Sequence, residues 1–479
     1  MKEYDLVIIG GGVSGAAIAR EMSKYRLSIA LLEKEEELGF GVSKSNSGII
    51  HPGTQNDPSS IKGRLCVRGN RLVRRIAREL GVDLKEVGEL IVAFNDEEVQ
   101  RLYALKKEAG SLGVPGLKIV DRKWLAKNEP NLNPDVKKAL YAPTAAIISP
   151  YRLVYDLAEN AARNGVEIFA RTCVESIGTT SNGFRVHTTS GEFPARYVVN
   201  AAGLYADSIA AMVGIKDISI KPRKGEEFLL DKKRQGITRH LIFPLPTPSS
   251  KGVLVIKTAD GNPMIGPTAD DTEDREDLAT TNEGLAKVVD AVRKMVPSIE
   301  PDDIIAYFAG VRPVAGKDFI IRHEDSVPGF VNVAGIQSPG LTAAPAIAEM
   351  VRDILRSSGL RTRRKLFFHG KRKRTTHLFA IPLRAAAGLI RKDPSYGDIV
   401  CRCEMISARE IKDAIARGAR TLDGIKFRTR AQAGRCHGSF CTTRIMRILA
   451  EATGRKMTDI TKRGEGSWIV MKDRADDAT

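Results

Sequence analysis

At 479 residues the chain is too long for a single hydrophobic core and predicts two or three domains, each able to bury its own. A hydrophobic content of 42% is ordinary for a globular protein, and no apolar run reaches the length of a spanning helix. The formal net charge of +17 fits a solvated basic surface or, more sharply, an anionic substrate, an acidic partner, a membrane surface or nucleic acid, and six cysteines in so long a chain do not make a disulfide scaffold.

Tyr4 to Ile9 is a short run of apolar and β-branched residues that stops at glycine, and it reads as a buried strand. Gly10, Gly12 and Gly15 then fit the spacing G-x-G-x-x-G. The first glycine allows the tight turn, the second lets a pyrophosphate approach the backbone, and the third lets helix and strand pack closely. Ala16 to Lys24 carries good helix formers. Ser28 to Leu32 is a second strand, ending at Glu33, whose carboxylate can accept hydrogen bonds from an adenosine ribose. The unit predicts a dinucleotide site but does not separate NAD from FAD, since both present the same adenosine diphosphate to the helix N-terminus. The sequence opens on a predicted strand and not on a signal-peptide pattern, and a cytoplasmic location is expected.

The stretch from Phe40 to Gly53 is rich in small and polar residues, with Ser45, Asn46, Ser47 and Gly48 ahead of the pair Ile49-Ile50 and His51. It suits close backbone approach to a flat ligand. Helical spacing follows over Ser60 to Leu80, a strand over Leu90 to Phe94, and peripheral helices over Asp96 to Ala109 and Trp124 to Asn128. Tyr151 to Asn164 is helical, Gly165 breaks it, and Val166 to Ala170 starts a strand. Strands are expected over Val174 to Val186, with a turn at Ser181-Asn182-Gly183, and over Glu192 to Val199. The latter runs into Asn200, Ala201, Ala202 and Gly203, another sheet edge where a cofactor can lie.

From Lys221 to Ile320 short strands alternate with Pro and Gly, including Glu227 to Leu230, Leu241 to Phe243 and Gly252 to Lys257; a helix spans Asn282 to Val296 and a strand Ile304 to Arg312. Phe330 to Ala334 returns as a buried strand, Gly335 to Gly340 is a loop, and Leu341 to Leu355 is a helix whose N-terminal amides, at Gly340, Leu341 and Thr342, point at whatever occupies the strand ends. Arg361 to Lys392 then holds many Lys and Arg and no acid, and reads as an exposed basic connector. Cys401 and Cys403, then Cys436 and Cys441, give C-x-C and C-x₄-C, a donor set suited to tetrahedral metal or to a [2Fe–2S] cluster. Between them Ser407 to Glu410 is a capping box opening a helix that stops at Gly418, and a second helix spans Thr442 to Ala452. Cys66 and Cys173 stand alone as packing residues.

Taken together, Ile9 to Gly15, Ser45 to His51, Val199 to Gly203, Gly310-Val311-Arg312-Pro313 and Gly335 to Thr342 resemble the flavin-dependent oxidoreductases of the D-amino-acid oxidase and glycerol-3-phosphate dehydrogenase superfamily. The resemblance implies FAD, and a late helix whose N-terminus lies beside the flavin ring. Cys-Arg-Cys-Glu and Gly434 to Cys441 resemble the [2Fe–2S] domain of bacterioferritin-associated ferredoxins; structural zinc is the alternative for four cysteines.

The expected architecture is therefore α/β. A Rossmann-like FAD domain would be assembled from about 1–90, 145–215 and 325–356, and a β-rich substrate domain inserted as about 91–144 and 216–324. A basic linker over 357–398, a small α-helical [2Fe–2S] domain over 399–455 and a tail over 456–479 complete the chain. Two subfamilies compete for the substrate. Gly310 to Pro313 and the cysteine domain resemble anaerobic glycerol-3-phosphate dehydrogenases, whereas Asn46 to His51 with Ser59 to Asn70 resembles L-2-hydroxyglutarate dehydrogenases. Where the former carry a Gly-Gly-Lys-Leu-Thr-Thr motif, this chain has no lysine between Gly335 and Thr342.

Oxidation of a secondary alcohol needs a base for the hydroxyl proton, and His51 is the candidate because imidazole titrates near neutral pH. Arg312 offers a planar fork for a phosphate or carboxylate, with Lys257 and His240 as weaker candidates. The expected activity is oxidation of glycerol 3-phosphate, with electrons leaving through the cluster to a partner subunit, a carrier or a quinone at a peripherally contacted membrane. The alternatives are an L-2-hydroxy-acid dehydrogenase, or an electron-transfer or redox-sensing subunit without a small substrate. A nucleic-acid partner is not expected.

Overall fold

The computed structural model describes residues 2–247, 251–372 and 374–471, so Lys373 of the basic run and the end of the tail lie outside the described residues. The chain divides into two compact units: residues 1–32, 39–168 and 174–371 form the first, and residues 33–38, 169–173 and 372–479 the second.

The first unit contains an eight-stranded sheet centred on β1 (Tyr4–Ile9). Leu6, Val7 and Ile8 of β1 are wholly buried; each such side chain contributes about 1.5–3 kcal/mol by leaving water. β1 runs parallel to β2 (Ile29–Leu32) on one side and to β3 (Gly191–Asn200) on the other, and the end of β3 pairs in parallel with β4 (Phe330–Ala334). Parallel neighbours require crossovers, and the first is α1 (Val13–Met22), all ten of whose residues are buried. The small residues Ser14, Gly15, Ala16, Ala17 and Ala19 let α1 lie close against its neighbours. It packs against the helix Pro150–Arg163 and against α3 (Gly340–Ser357), while α2 (Ile61–Leu80) packs on α3 as well. At α2, Ser60 Oγ accepts from the Gly63 amide at 3.0 Å, and Gly81 ends the helix in the left-handed region at φ 73°.

A nine-stranded sheet in the same unit draws strands from both sides of residues 145–215, among them Glu89–Ala93 and Lys138–Ala142 before, and Lys221–Leu230, Leu241–Phe243 and Ile304–Val314 after. Glu89–Ala93 lies parallel to Leu241–Phe243 and antiparallel to Lys138–Ala142. The turn at Ser181-Asn182 divides the run expected as Val174 to Val186 into the hairpin Val174–Thr180 and Gly183–Thr188. Residues 361–371 of the basic stretch do not stand off as a free tether. Their backbone bonds to Lys24 and Arg26, and the His369 carbonyl takes hydrogen bonds from Asn160 and Asn164.

In the second unit, the helix Leu383–Lys392 precedes α4 (Ala408–Ala416), α5 (Leu422–Thr429) and α6 (Thr442–Thr453). Ile411, Leu422, Ile425, Ile445 and Leu449 form its fully buried core. The Ser407–Glu410 capping box is present, and His377 Nδ1 lies 2.7 Å from the Glu410 carboxylate. Glu37 is buried, bonded to Arg428 at 2.7 Å and to the Arg420 amide at 2.9 Å.

Candidate functional site

Glycine geometry at the end of β1 separates the roles of the three glycines. Gly10 has φ 107°, and a Cβ there would stand 2.4 Å from the Ala201 carbonyl oxygen; one on Gly15 would stand 1.9 Å from the Gly10 oxygen. Gly12 differs: its Cβ would meet only Ser43 Oγ, at 3.3 Å, over the N-terminus of α1. This is the cradle that a dinucleotide pyrophosphate fits, open at the middle glycine and closed at the outer two. Glu33 follows β2 directly, with Oε1 accepting from the Glu35 amide at 2.9 Å. Ala202 and Gly203 follow β3, the Ala202 amide reaching Asn200 Oδ1 at 3.3 Å.

The 45–51 loop is held at several points. Asn46 Oδ1 accepts from the Gly48 amide at 2.8 Å, and Gly48, with φ 74°, lies where a Cβ would be 2.3 Å from the Ile148 oxygen. Ser45 rests on Gly310, and Ser47 hydrogen-bonds the carboxyl of Glu227. His51 is fixed from both sides of its backbone. Its amide donates to Thr342 Oγ1 at 2.9 Å and its carbonyl accepts from Asn70 Nδ2 at 2.9 Å, while its Nε2 lies 3.3 Å from Ser338 Oγ. Gly340, Leu341 and Thr342 open α3, and Gly335 turns into the preceding loop with φ 68°. The structure thus brings the His51 imidazole to the N-terminus of α3, the positive end of that helix's dipole.

Burial, then the facing Lys251 ammonium, push the His51 pKa well below 6.5, so the ring is neutral at neutral pH. Lys251 is itself shifted down by burial and bears on the ionisation of Cys66 and Glu89. Burial raises Glu89 to about 7, although Thr54 hydrogen-bonds one oxygen; the other has no partner among the described residues. Arg312 donates from Nη2 to the Thr268 carbonyl at 2.5 Å across Gly225. Lys251, Ser338, Glu89 and Glu227 were not singled out from the sequence. Lys251 sits in a Pro-Ser-Ser-Lys-Gly stretch that reads as a solvent loop, and only the fold turns it inward. His240 is elsewhere: its Nδ1 is 2.7 Å from Glu129, and its ring packs against Trp124 and Tyr141. Lys257 lies in the strand Leu254–Lys257, opposite Pro263.

In the second unit Cys401 and Cys441 are buried and hydrogen-bonded to each other, while Cys403, exposed, lies 3.5 Å from Cys436, sulfur to sulfur. Thiolates bound to one tetrahedral ion at ~2.3 Å stand ~3.7 Å apart, close to the Cys403–Cys436 separation. Among the described residues no group of His, Cys, Asp or Glu side chains is arranged around a single ion. Backbone amides of Gly438 and Phe440 hydrogen-bond Cys436, and those of Gln432 and Glu404 hydrogen-bond Cys401. Met405, Arg430, Gln432 and His437 take positive φ to turn these loops. Amides aimed at sulfur favour thiolate and fit a [2Fe–2S] cluster.

Residues 5–354 match the FAD dependent oxidoreductase family, and residues 399–451 the BFD-like [2Fe-2S] binding domain. A glycerol 3-phosphate dehydrogenase of Caloramator mitchellensis is 43% identical over 98% of this chain and 98% of its own. The human mitochondrial L-2-hydroxyglutarate dehydrogenase is 30% identical over 73% of this chain and 88% of its own. Among solved structures, the dithionite-reduced L-α-glycerophosphate oxidase of Mycoplasma pneumoniae with FAD bound superposes with a TM-score of 0.74 at 32% identity, covering 78% of this chain and all of that one. This chain belongs to the FAD-dependent oxidoreductase family and carries a C-terminal BFD-like [2Fe–2S] binding domain.

Proposed function

We propose that the enzyme oxidises the secondary hydroxyl of glycerol 3-phosphate to the ketone of dihydroxyacetone phosphate. The observation that carries this reading is a buried neutral imidazole, His51, fixed by Thr342, Asn70 and Ser338 and faced by the Lys251 cation. Bound FAD supplies the acceptor for a hydride, and a bound [2Fe–2S] cluster supplies one-electron transfer. Gly10, Gly12 and Gly15 would hold the pyrophosphate; Ser45 to Gly48, Ala202, Gly203, Gly335 and the start of α3 would line the flavin. Cys401, Cys403, Cys436 and Cys441 would hold the cluster.

His51 Nε2 takes the hydroxyl proton. Its low pKa in the free site rises when an anionic substrate offsets Lys251, which brings the base toward its working range. Arg312 and Lys251 together bind the phosphate, and Lys251 supplies the cation that the loop from Gly335 to Thr342 lacks. Among the described residues no helix is long and apolar enough to cross a membrane. An electron-accepting partner protein or quinone completes turnover, met by a peripheral contact of the basic stretch.

The test is anaerobic flavin bleaching. Bleaching by glycerol 3-phosphate and not by L-2-hydroxyglutarate supports the reading. Bleaching by the hydroxy acid alone makes Arg312 a carboxylate grip, and bleaching by neither returns the chain to an electron-transfer role.

A further inference from the structure

In the antiparallel pair formed by Lys221–Leu230 and Ile304–Val314, Gly225 lies opposite Gly310 and Glu227 opposite Phe308. Opposed residues share a face and alternate residues repeat it, so Gly225, Glu227, Phe308, Gly310 and Arg312 lie on one side of the sheet. The glycines clear that face. A Cβ at 225 would stand 2.4 Å from Arg312 Nη2, and one at 310 would stand 2.6 Å from Ser45 Cβ. Arg312 and the 45–48 loop therefore occupy the floor, with Glu227 at its other end.

Glu227 is 4% exposed, bonded to Ser47, and its Oε2 has no hydrogen-bond partner among the described residues. Buried carboxyl oxygens are normally satisfied, and an orphan beside a binding group marks where a ligand atom belongs. The charged and polar groups facing Glu227 are Arg312 and Ser47; Arg223, Asp270 and Asp271 in turn bear on Arg312. Burial raises the carboxyl to about 8 against the pull of Arg312, so at neutral pH it retains a proton and both donates and accepts.

We propose that Glu227 is a specificity-determining residue of the substrate site: it hydrogen-bonds a neutral hydroxyl of an anionic polyol while Arg312 holds the anionic group. The assignment rests on the glycerol 3-phosphate reading, in which the recognised group is the primary hydroxyl. A site built to bond a hydroxyl discriminates strongly against the analogue lacking it, because its own buried polar atoms are then left unpaired.

The experiment compares each phosphate with its deoxy analogue on FAD-loaded protein. Glycerol 3-phosphate and propane-1,2-diol 1-phosphate are compared by the rate of flavin bleaching, and dihydroxyacetone phosphate and acetol phosphate by calorimetric Kd without turnover. The wild type is expected to prefer the hydroxylated member of each pair at least tenfold. Glu227→Leu, and Glu227→Ala should the leucine variant not fold, reduce that preference to within threefold by weakening only the hydroxylated member; Glu227→Gln, which retains a donor and an acceptor, keeps it. Equal losses on both members of each pair would make Glu227 structural and overturn the assignment. A wild type that responds to glycerol 3-phosphate and its analogue alike also overturns it while leaving the substrate reading intact. Response to neither phosphate overturns the substrate reading, and the assignment with it.

Discussion

Gly12→Ala and Gly15→Ala alter neighbouring glycines of one turn, and the structure assigns them different failures. At Gly15 the added methyl would stand 1.9 Å from the Gly10 carbonyl oxygen, where ordinary contact begins at 3.4 Å, so α1 must retreat by most of that difference. The obstacle is backbone and has no rotamer to change. Overpacking of this kind costs about 1–3 kcal/mol, sometimes more, offset by about 1 kcal/mol of alanine's better helix propensity. With an immovable backbone as the obstacle the upper end of that range, about 3 kcal/mol, applies, and a net destabilisation of about 2 kcal/mol follows for the protein without FAD. At Gly12 the backbone, φ −73° and ψ −175°, suits alanine, and only Ser43 Oγ is near. The apo-protein should then change by less than about 1 kcal/mol, because alanine also lowers the entropy of the unfolded chain. The methyl instead occupies the pyrophosphate's approach. Losing two charge-assisted hydrogen bonds of about 1.5–3 kcal/mol each weakens FAD binding by at least about 100-fold. Thermal melting of apo-protein, at about 1–2 °C per kcal/mol for a unit of this size, with FAD content and fluorescence-detected FAD affinity, separates the two. Equal melting losses in both variants, or wild-type FAD affinity in Gly12→Ala, would refute the division of roles.

His51→Asn should keep FAD but slow substrate-driven bleaching by about 10²–10⁴-fold, the usual contribution of a positioned base, as measured by stopped-flow absorbance. Cys436→Ser should abolish the cluster's visible absorbance after reconstitution while leaving FAD content and flavin bleaching unchanged. Arg428→Ala strands the buried Glu37 carboxylate and should destabilise the second unit by about 3–5 kcal/mol in denaturant melts. The folded Glu227 carboxyl titrates at about 8 against 4.5 unfolded, so the folded state holds the extra proton between those values. Its contribution to stability is complete below 4.5 and falls as pH rises to about 8; Glu227→Gln should flatten that part of the pH–stability curve.

What the sequence determined is what can be written in local spacing. Three glycines at fixed offsets after a β-branched run can serve a strand, a turn and a helix at once, and the cysteine pairs with a capping box between them define a small helical ligand site. These depend on residues a few positions apart, where backbone geometry decides. Lys251, Ser338 and Glu227 depend on contacts between distant segments. Ser338 lies 287 positions from the His51 ring it meets, and Glu227 lies on a strand whose neighbour supplies Arg312. No local pattern distinguishes a lysine in a serine-rich loop from one in solvent, or a glutamate in a strand from a surface acid. Burial against other parts of the chain makes that distinction, since removal from water is what shifts their protonation and leaves their polar atoms in need of a ligand.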